Sequence, residues 1–278
     1  MSRDWLERYL TILRLKQQPP SRKFLKRIIR AHVRTFPFEN VSKLLLARDG
    51  ETLERVTDVH AFLASHETNQ SGGTCFTLNA CLFQLLEALG FEGWLIRPGE
   101  EHMAVIIKDP GSANRLLYVD VGTTAPLFEP IPFQGRKRAI PPFAGEQLFF
   151  LPGEGKGVYS YIRTRNGQIT HKKWTFSIYE AMSYADFAPW IAATFQQEAS
   201  FMNMLRCQLW EPDQRRGLSL INRTFTIRHG NGSVMTKDLP DEEAVRDVLV
   251  REFRMPDLPV YEALQQLEQR GAGIFSRT

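Results

Sequence analysis

Cysteine is scarce in this chain: Cys75, Cys81 and Cys207 are the only three among 278 residues. An odd count without close spacing supports neither a disulfide framework nor a zinc knuckle, and it fits a reducing compartment. Long apolar runs are missing as well. No stretch reaches the ~20 residues of a membrane span. The opening Met-Ser-Arg-Asp-Trp-Leu-Glu-Arg carries charges where a signal peptide needs its apolar segment. The expectation is a cytoplasmic protein with no membrane partner. Charge of one sign is also lacking: 35 Lys and Arg against 31 Asp and Glu leave a formal net charge of +4. That balance admits an anionic ligand without implying nucleic acid. Internal repeats and low-complexity tracts are absent, which excludes a repeat architecture.

What remains is the composition of a globular protein, long enough for a substantial core and two or three subdomains. Trp5, Tyr9, Ile12 and Leu13 recur at helical spacing, and Pro19 and Pro20 end that first helix. Ser21 reads as the N-cap of a second helix through about Val33. Its Arg22, Lys23, Lys26, Arg27, Arg30 and Arg34 form a basic run; a solvated face is the commoner explanation, and phosphate binding the sharper one. Asp58 to Ser65 reads as a short helix. Cys75 to Leu89 reads as a longer one, with Cys75, Leu78, Leu82, Leu85, Leu86 and Leu89 as an apolar stripe and Gly90 at C′.

Beyond Gly90 the pattern turns strand-like. Trp94–Arg97, Met103–Lys108 and Leu116–Val121 are short β-rich runs separated by Pro98-Gly99, Asp109-Pro110-Gly111 and Asn114. Further strands are predicted at Gln147–Leu151, Val158–Arg163 and Lys173–Tyr179, and a helix at Ala185–Gln196. Ser219–Arg228 and Gly232–Lys237 are read as a hairpin, and Asp241–Phe253 as a capped helix. The sum is an α+β arrangement.

The chemistry centres on Ser71-Gly72-Gly73-Thr74-Cys75-Phe76. Two glycines permit a sharp turn into a helix, and a helix N-terminus favours a thiolate over a thiol. Cys81 and Cys207 fit the alternative of buried, inert thiols. Six histidines are candidate bases: His32, His60, His66, His102, His171 and His229. Only His102 opens an apolar strand shortly after the cysteine helix. Asp120 lies on the face of Leu116 and Tyr118 by period-two alternation. A carboxylate on an apolar strand face is costly unless paired, so a histidine partner explains it. Spacing alone leaves open that Cys75, His102 and Asp120 are unrelated.

Four segments together resemble the arylamine N-acetyltransferase family: Phe36-Pro37-Phe38-Glu39-Asn40, Gly72-Gly73-Thr74-Cys75-Phe76 with Asn79, Glu101-His102-Met103 and Val119-Asp120-Val121-Gly122. The resemblance implies an N-terminal helical bundle (residues 1–90), a central β-barrel (91–195) and a C-terminal α/β lid (196–278). It also implies a papain- or transglutaminase-like triad. Cys75 would take an acetyl group from acetyl-CoA, with no metal, and pass it to an aromatic amine or hydrazine in a ping-pong reaction. His102 would pair with the thiolate and Asp120 would orient His102. Phe38 would line the acceptor pocket, and Met103, Gly122, Thr123 and Thr124 would approach the CoA. A triad-bearing amide synthase or thioester hydrolase is the alternative, as is a weak or silent ligand-binding homologue.

Two positions depart from the family pattern: Ser71 stands where arginine is usual, and Thr77 where glutamate is usual. Glu39 is thereby expected to lack its cation, leaving a buried carboxylate strained or protonated. Thr123 also follows Gly122 where a second glycine is commoner. Gly153-Glu154-Gly155-Lys156-Gly157 lacks the spacing of a P-loop. Asn222-Arg-Thr and Asn231-Gly-Ser match a glycosylation pattern that means nothing in a cytoplasmic protein. Phe149, Phe150, Tyr159 and Tyr161 are read as barrel core.

Overall fold

The computed structural model describes residues 4–50, 53–112, 114–133 and 137–275. Met1 to Arg3, part of the signal-peptide reading, and the side chain of the candidate base His171 lie outside what is described.

The N-terminal helices form where polar caps precede amphipathic runs. α1 (Asp4–Ile12) leads to α2 (Arg22–Thr35), whose N-cap Ser21 accepts from the Phe24 N–H at 3.2 Å. Phe24, Leu25, Ile28, Ile29 and Val33 bury one face of α2, and its basic run lies on the other. Part of that run is paired: Arg22 meets Asp109, Lys26 meets Glu129 and Arg34 meets Asp213. α3 (Val41–Arg48) and α4 (Val59–Asn69) follow, and Gln70 closes α4 in the left-handed conformation at φ 50°. α5 (Cys75–Ala88) is not the one-sided helix its stripe suggests, because ten of its residues are buried. It is packed by α1 and α4 on one side and by strands on the other. An amphipathic pattern cannot mark a helix enclosed all round.

Thirteen strands among the described residues form three antiparallel sheets. β2 (Gly93–Ile96), β3 (Ala104–Lys108), β4 (Leu116–Val119) and β5 (Ile131–Phe133) pair in chain order. β6 (Arg138–Ala139), β7 (Glu146–Pro152), β8 (Val158–Arg165) and β9 (Gln168–Ser177) do likewise. These eight strands do not make the expected β-barrel. Among the described residues the two sheets stay open, since β5 pairs only with β4 and β6, two exposed residues long, pairs only with β7. A closed barrel needs continuous pairing around the ring. The sheets share an aromatic core instead: Tyr118 and Phe133 meet Phe150, Tyr159, Tyr161 and Phe176. The opposite face of β2–β4 carries Leu95, Val105, Ile107, Leu117 and Val119 into the helical core. Burial on both faces accounts for the unbroken apolar run of β3.

The segment expected to be one helix from Ala185 to Gln196 is a 3-10 turn (Ala185–Phe187) and the short α6 (Ala188–Ala193), with Pro189 in its first turn. The C-terminal sheet runs β1-β10-β11-β12-β13, from β1 (Phe38–Glu39) through β10 (Arg206–Glu211), β11 (Arg216–Ile221) and β12 (Thr224–His229) to β13 (Val234–Asp238). The stretch read as a single strand from Ser219 to Arg228 is two strands, broken at Asn222, whose φ of 52° makes a tight turn. α7 (Glu242–Arg251), α8 (Val260–Gln269) and α3 cover one face of this sheet. β1 matters most for the site. It pairs with β10, and Glu39 N donates to the Gly73 carbonyl at 3.0 Å, so the glycine loop before α5 is tied to the C-terminal sheet.

Candidate active site

Cys75 is the first residue of α5, whose N-cap Thr74 has extended backbone and no side-chain cap bond. The first-turn N–H groups of a helix have no intrahelical acceptor, so they face whatever sits at its N-terminus. Two glycines make this placement possible by close approach. A Cβ on Gly72 would meet the Pro37 carbonyl oxygen at 1.8 Å, and one on Gly122 would meet the Cys75 Cα at 2.6 Å.

The triad residues come together. His102 Nε2 lies 2.7 Å from Asp120 Oδ2, and both side chains are almost wholly buried. Nε2 is committed to Asp120, which leaves Nδ1 outside that contact, and the Cys75 charge acts on the ring. The Cys75 Sγ also lies 3.5 Å from the Glu101 carbonyl oxygen. Trp174 stacks on the imidazole, centroids 4.3 Å apart and planes 18° apart, and Tyr161 stacks on Trp174 in turn.

Asp120 is held by four donors besides shape. Tyr118 Oη donates to Oδ2 at 2.8 Å, and Asn79 Nδ2 and Gly122 N donate to Oδ1 at 2.9 and 3.0 Å, with His102 the fourth. Asn79, one turn beyond Cys75, also donates to the Met103 carbonyl at 2.7 Å and accepts from Val121 N at 2.9 Å. One amide thus joins the Cys75 helix to the segments bearing His102 and Asp120. Burial alone would raise the Asp120 pKa, but the His102 charge and these hydrogen bonds outweigh it and hold it below the usual carboxylate value. Burial alone would lower the His102 pKa; the charges of Asp120 and Cys75 overcome that and raise it to about 9. The pair is therefore built as imidazolium and carboxylate.

Cys81 and Cys207 are buried and burial pushes both thiols well above the usual value, as suits inert cysteines. The remaining expected site residues are placed less openly. Met103 and Thr123 are 0% and 1% exposed, and the Thr123 hydroxyl lies 3.1 Å from Tyr161 Oη. Thr124 takes a left-handed φ of 54° and its Oγ1 and carbonyl accept from Arg163. Phe38 packs on Phe201, ring centroids 5.3 Å apart.

Glu39 is fully buried and accepts from Ser42 N, Ser42 Oγ and Gly72 N at 3.0, 2.6 and 3.2 Å. Among the described residues no cation pairs with it. Burial raises its pKa, and those hydrogen bonds only partly offset the rise. Ser71 turns instead to Ser65, Oγ to Oγ 2.6 Å, and Ser71 and Thr77 line one cavity of about 400 Å³. Small side chains at both positions bring no charge to that space from residues 71 and 77.

Two participants, Lys43 and Trp174, escape a sequence reading. Lys43 is buried, bonded to the Thr194 hydroxyl and set 3.9 Å over the Phe195 ring. Burial lowers its pKa to about 8, opposed by the charges of Cys75 and Glu101. Trp174 carries no positional signal. Tyr118 does carry one, since period-two alternation already sets it on the face of Asp120.

A family model described as N-acetyltransferase matches residues 23–258. The chain belongs to this N-acetyltransferase family. Members of the family are acyltransferases. The chain is 33% identical over 128 residues to an arylamine N-acetyltransferase of Mycolicibacterium smegmatis, a match covering 41% of this chain and 44% of that relative. It therefore spans under half of that relative's length. Among solved structures, the M. smegmatis arylamine N-acetyltransferase superposes with a TM-score of 0.78 at 22% identity, covering 98% of this chain and 99% of the other. The Salmonella typhimurium enzyme gives 0.75 at 19% over 96% and 97%. A Mycobacterium marinum arylamine N-acetyltransferase in complex with CoA gives 0.74 at 17% over 98% and 100%. These structures share the fold of this N-acetyltransferase family member.

Proposed function

We propose that this protein transfers an acetyl group from acetyl-CoA to an aromatic amine or hydrazine through a thioester on Cys75. The observation that carries the proposal is the buried His102–Asp120 contact of 2.7 Å beside a cysteine at the N-terminus of α5. The Cys75 thiolate attacks the thioester carbonyl, and the free N–H groups of the first α5 turn lie on the side where negative charge develops. His102, as imidazolium, gives its proton to the departing CoA thiolate. The acceptor amine then attacks the Cys75 thioester, and neutral His102 takes the amine's proton as the Cys75 thiolate departs. Asp120 fixes the ring so that Nδ1 faces sulfur, and stabilises the imidazolium without itself accepting the proton. Lys43 supplies a further positive charge near the thiolate. A thiol nucleophile must stay reduced, in keeping with a cytoplasmic setting.

Mass spectrometry tests this. Incubation with acetyl-CoA should add one acetyl group to Cys75, and an arylamine should remove it. Loss to water as fast as to amine would favour thioester hydrolysis. The absence of any adduct would reject the thioester mechanism, and so would transfer retained by both Cys75→Ala and Cys75→Ser.

A further inference from the structure

Alternation along β10, β11 and β12 divides the C-terminal sheet into two faces. Cys207, Leu209, Leu218, Leu220, Phe225 and Ile227 turn toward the helices. Arg206, Gln208, Trp210, Ser219, Thr226 and Arg228 share the other side, and all six line a cavity of about 520 Å³ together with Glu146 and Arg165 from the neighbouring sheet. None of the triad residues lines it.

The charges there do not balance. Glu146 is the one carboxylate on the lining, and it is already matched twice: Arg163 Nε donates to it at 2.6 Å and Arg165 Nη2 at 3.0 Å. Arg206 donates only to neutral acceptors, Ser219 Oγ at 2.6 Å, Leu220 O at 3.4 Å and Gln208 Oε1. The Arg228 side chain, on the same lining, has no hydrogen-bond or ion-pair partner among the described residues. Burial, reinforced by the charges of Arg163 and Arg165, lowers the Arg206 pKa to about 10, and burial with Arg165 lowers that of Arg228. A second observation points the same way. Trp210, laid over Gly217 so closely that a Cβ there would meet its ring at 2.3 Å, has a buried indole N–H without an acceptor. Buried donors and cations are normally paired, and guanidinium groups match phosphate oxygens in particular. A purely structural cluster would have gathered carboxylates.

We propose that this cavity is a binding site for a multiply charged phosphate group, with Arg206 and Arg228 as its cations and Ser219 and Thr226 as neutral donors. The site also touches the catalytic segment. Gln208 Nε2 donates to the Thr124 carbonyl at 2.7 Å, and Arg163, one of the Glu146 partners, donates to the same oxygen at 3.1 Å. Thr124 lies four residues beyond Asp120, in the same turn. The phosphate can belong to the acyl donor or to a separate phosphorylated ligand.

The test is isothermal titration calorimetry of inorganic pyrophosphate into the full chain at two ionic strengths. Binding is expected, weaker at high salt, weakened at least about tenfold by Arg228→Gln and partly restored by Arg228→Lys. Trp210→Phe, which removes the N–H together with part of the indole ring, should weaken it less. Thermal unfolding checks that each variant is folded. Repeating the titration with acetyl-CoA present identifies the source: competition assigns the site to the donor's phosphates, and additive binding assigns it to a separate ligand, either result supporting the site. No binding, or equal binding by the parent and Arg228→Gln, overturns it. The calorimetry needs no acetyl transfer, so its failure is distinguishable from failure of the Cys75 reading.

Discussion

Tyr118 and His102 share one carboxylate oxygen: both contact Asp120 Oδ2, at 2.8 and 2.7 Å. Tyr118 belongs to the aromatic core between the two central sheets, so that core braces Asp120. Replacing Tyr118 by Phe keeps the ring packing and deletes one donor to a buried charge. The expected cost is about 1–3 kcal/mol of stability, with slower acetylation of Cys75 and an unchanged KM for acetyl-CoA. Denaturant unfolding and single-turnover kinetics measure the two effects. A Tyr118→Phe variant matching the parent in both would show that the hydroxyl does nothing for Asp120.

The raised His102 pKa sets the pH dependence. Because the folded value, about 9, exceeds the usual 6.5, the pair's contribution to stability is complete below about 6.5 and is lost as pH rises through about 9. The acetylation half-reaction, which needs imidazolium as acid, should fall along the same alkaline limb. Asp120→Asn removes the charge that raises the pKa, so the limb should move to lower pH. Rapid-quench measurement of Cys75 acetylation across that range gives the profile. An identical limb in Asp120→Asn would sever the link between Asp120 and the base.

Acid sensitivity should come from elsewhere in the fold. His32 is buried, its Nε2 2.9 Å from Tyr9 Oη and its Nδ1 without a partner. Burial first, and the charge of His66 second, lower its pKa from 6.5 to about 3. The sign is opposite to that of His102: the unfolded chain takes the proton first, so stability is full above 6.5 and drains as pH falls toward 3. One such group steepens the loss by up to about 1.4 kcal/mol per pH unit. His32→Leu should flatten the acid limb of a stability-pH curve even where it shifts stability overall. A parallel curve would reject His32 as the sensor.

The local signals around Cys75, His102 and Asp120 were legible, although only the family resemblance joined them. A double glycine before a helix, a histidine opening a strand and a carboxylate on an apolar face each report a nearby constraint. Ser21 and Gly90 marked helix ends for the same reason. The openness of the central sheets was not legible, since β5 and β6 look alike whether or not they pair with one another. Nor was the full burial of α5, which depends on what surrounds it. Lys43 is the clearest loss: in sequence it is one of 35 cations, and only the fold brings it within reach of the Cys75 charge.

The empty ion pair around Glu39 gives the last prediction. Ser71 and Thr77 line the same cavity of about 400 Å³, and Glu39, which accepts from Gly72 N, pairs with no cation among the described residues. Thr77→Glu alone adds a second carboxylate near a buried one and should destabilise the protein. Ser71→Arg alone supplies a counter-charge to Glu39 and should lower its pKa toward the ordinary range. With both substitutions in place the new guanidinium can serve Glu39 and the new carboxylate at once, so their effects should not add. A double-mutant cycle by chemical unfolding is expected to show a favourable coupling of about 1–3 kcal/mol. Because Gly72 precedes the Cys75 turn, the double variant should also acetylate faster than Thr77→Glu. Additive free energies would mean that the side chains at 71 and 77 do not meet.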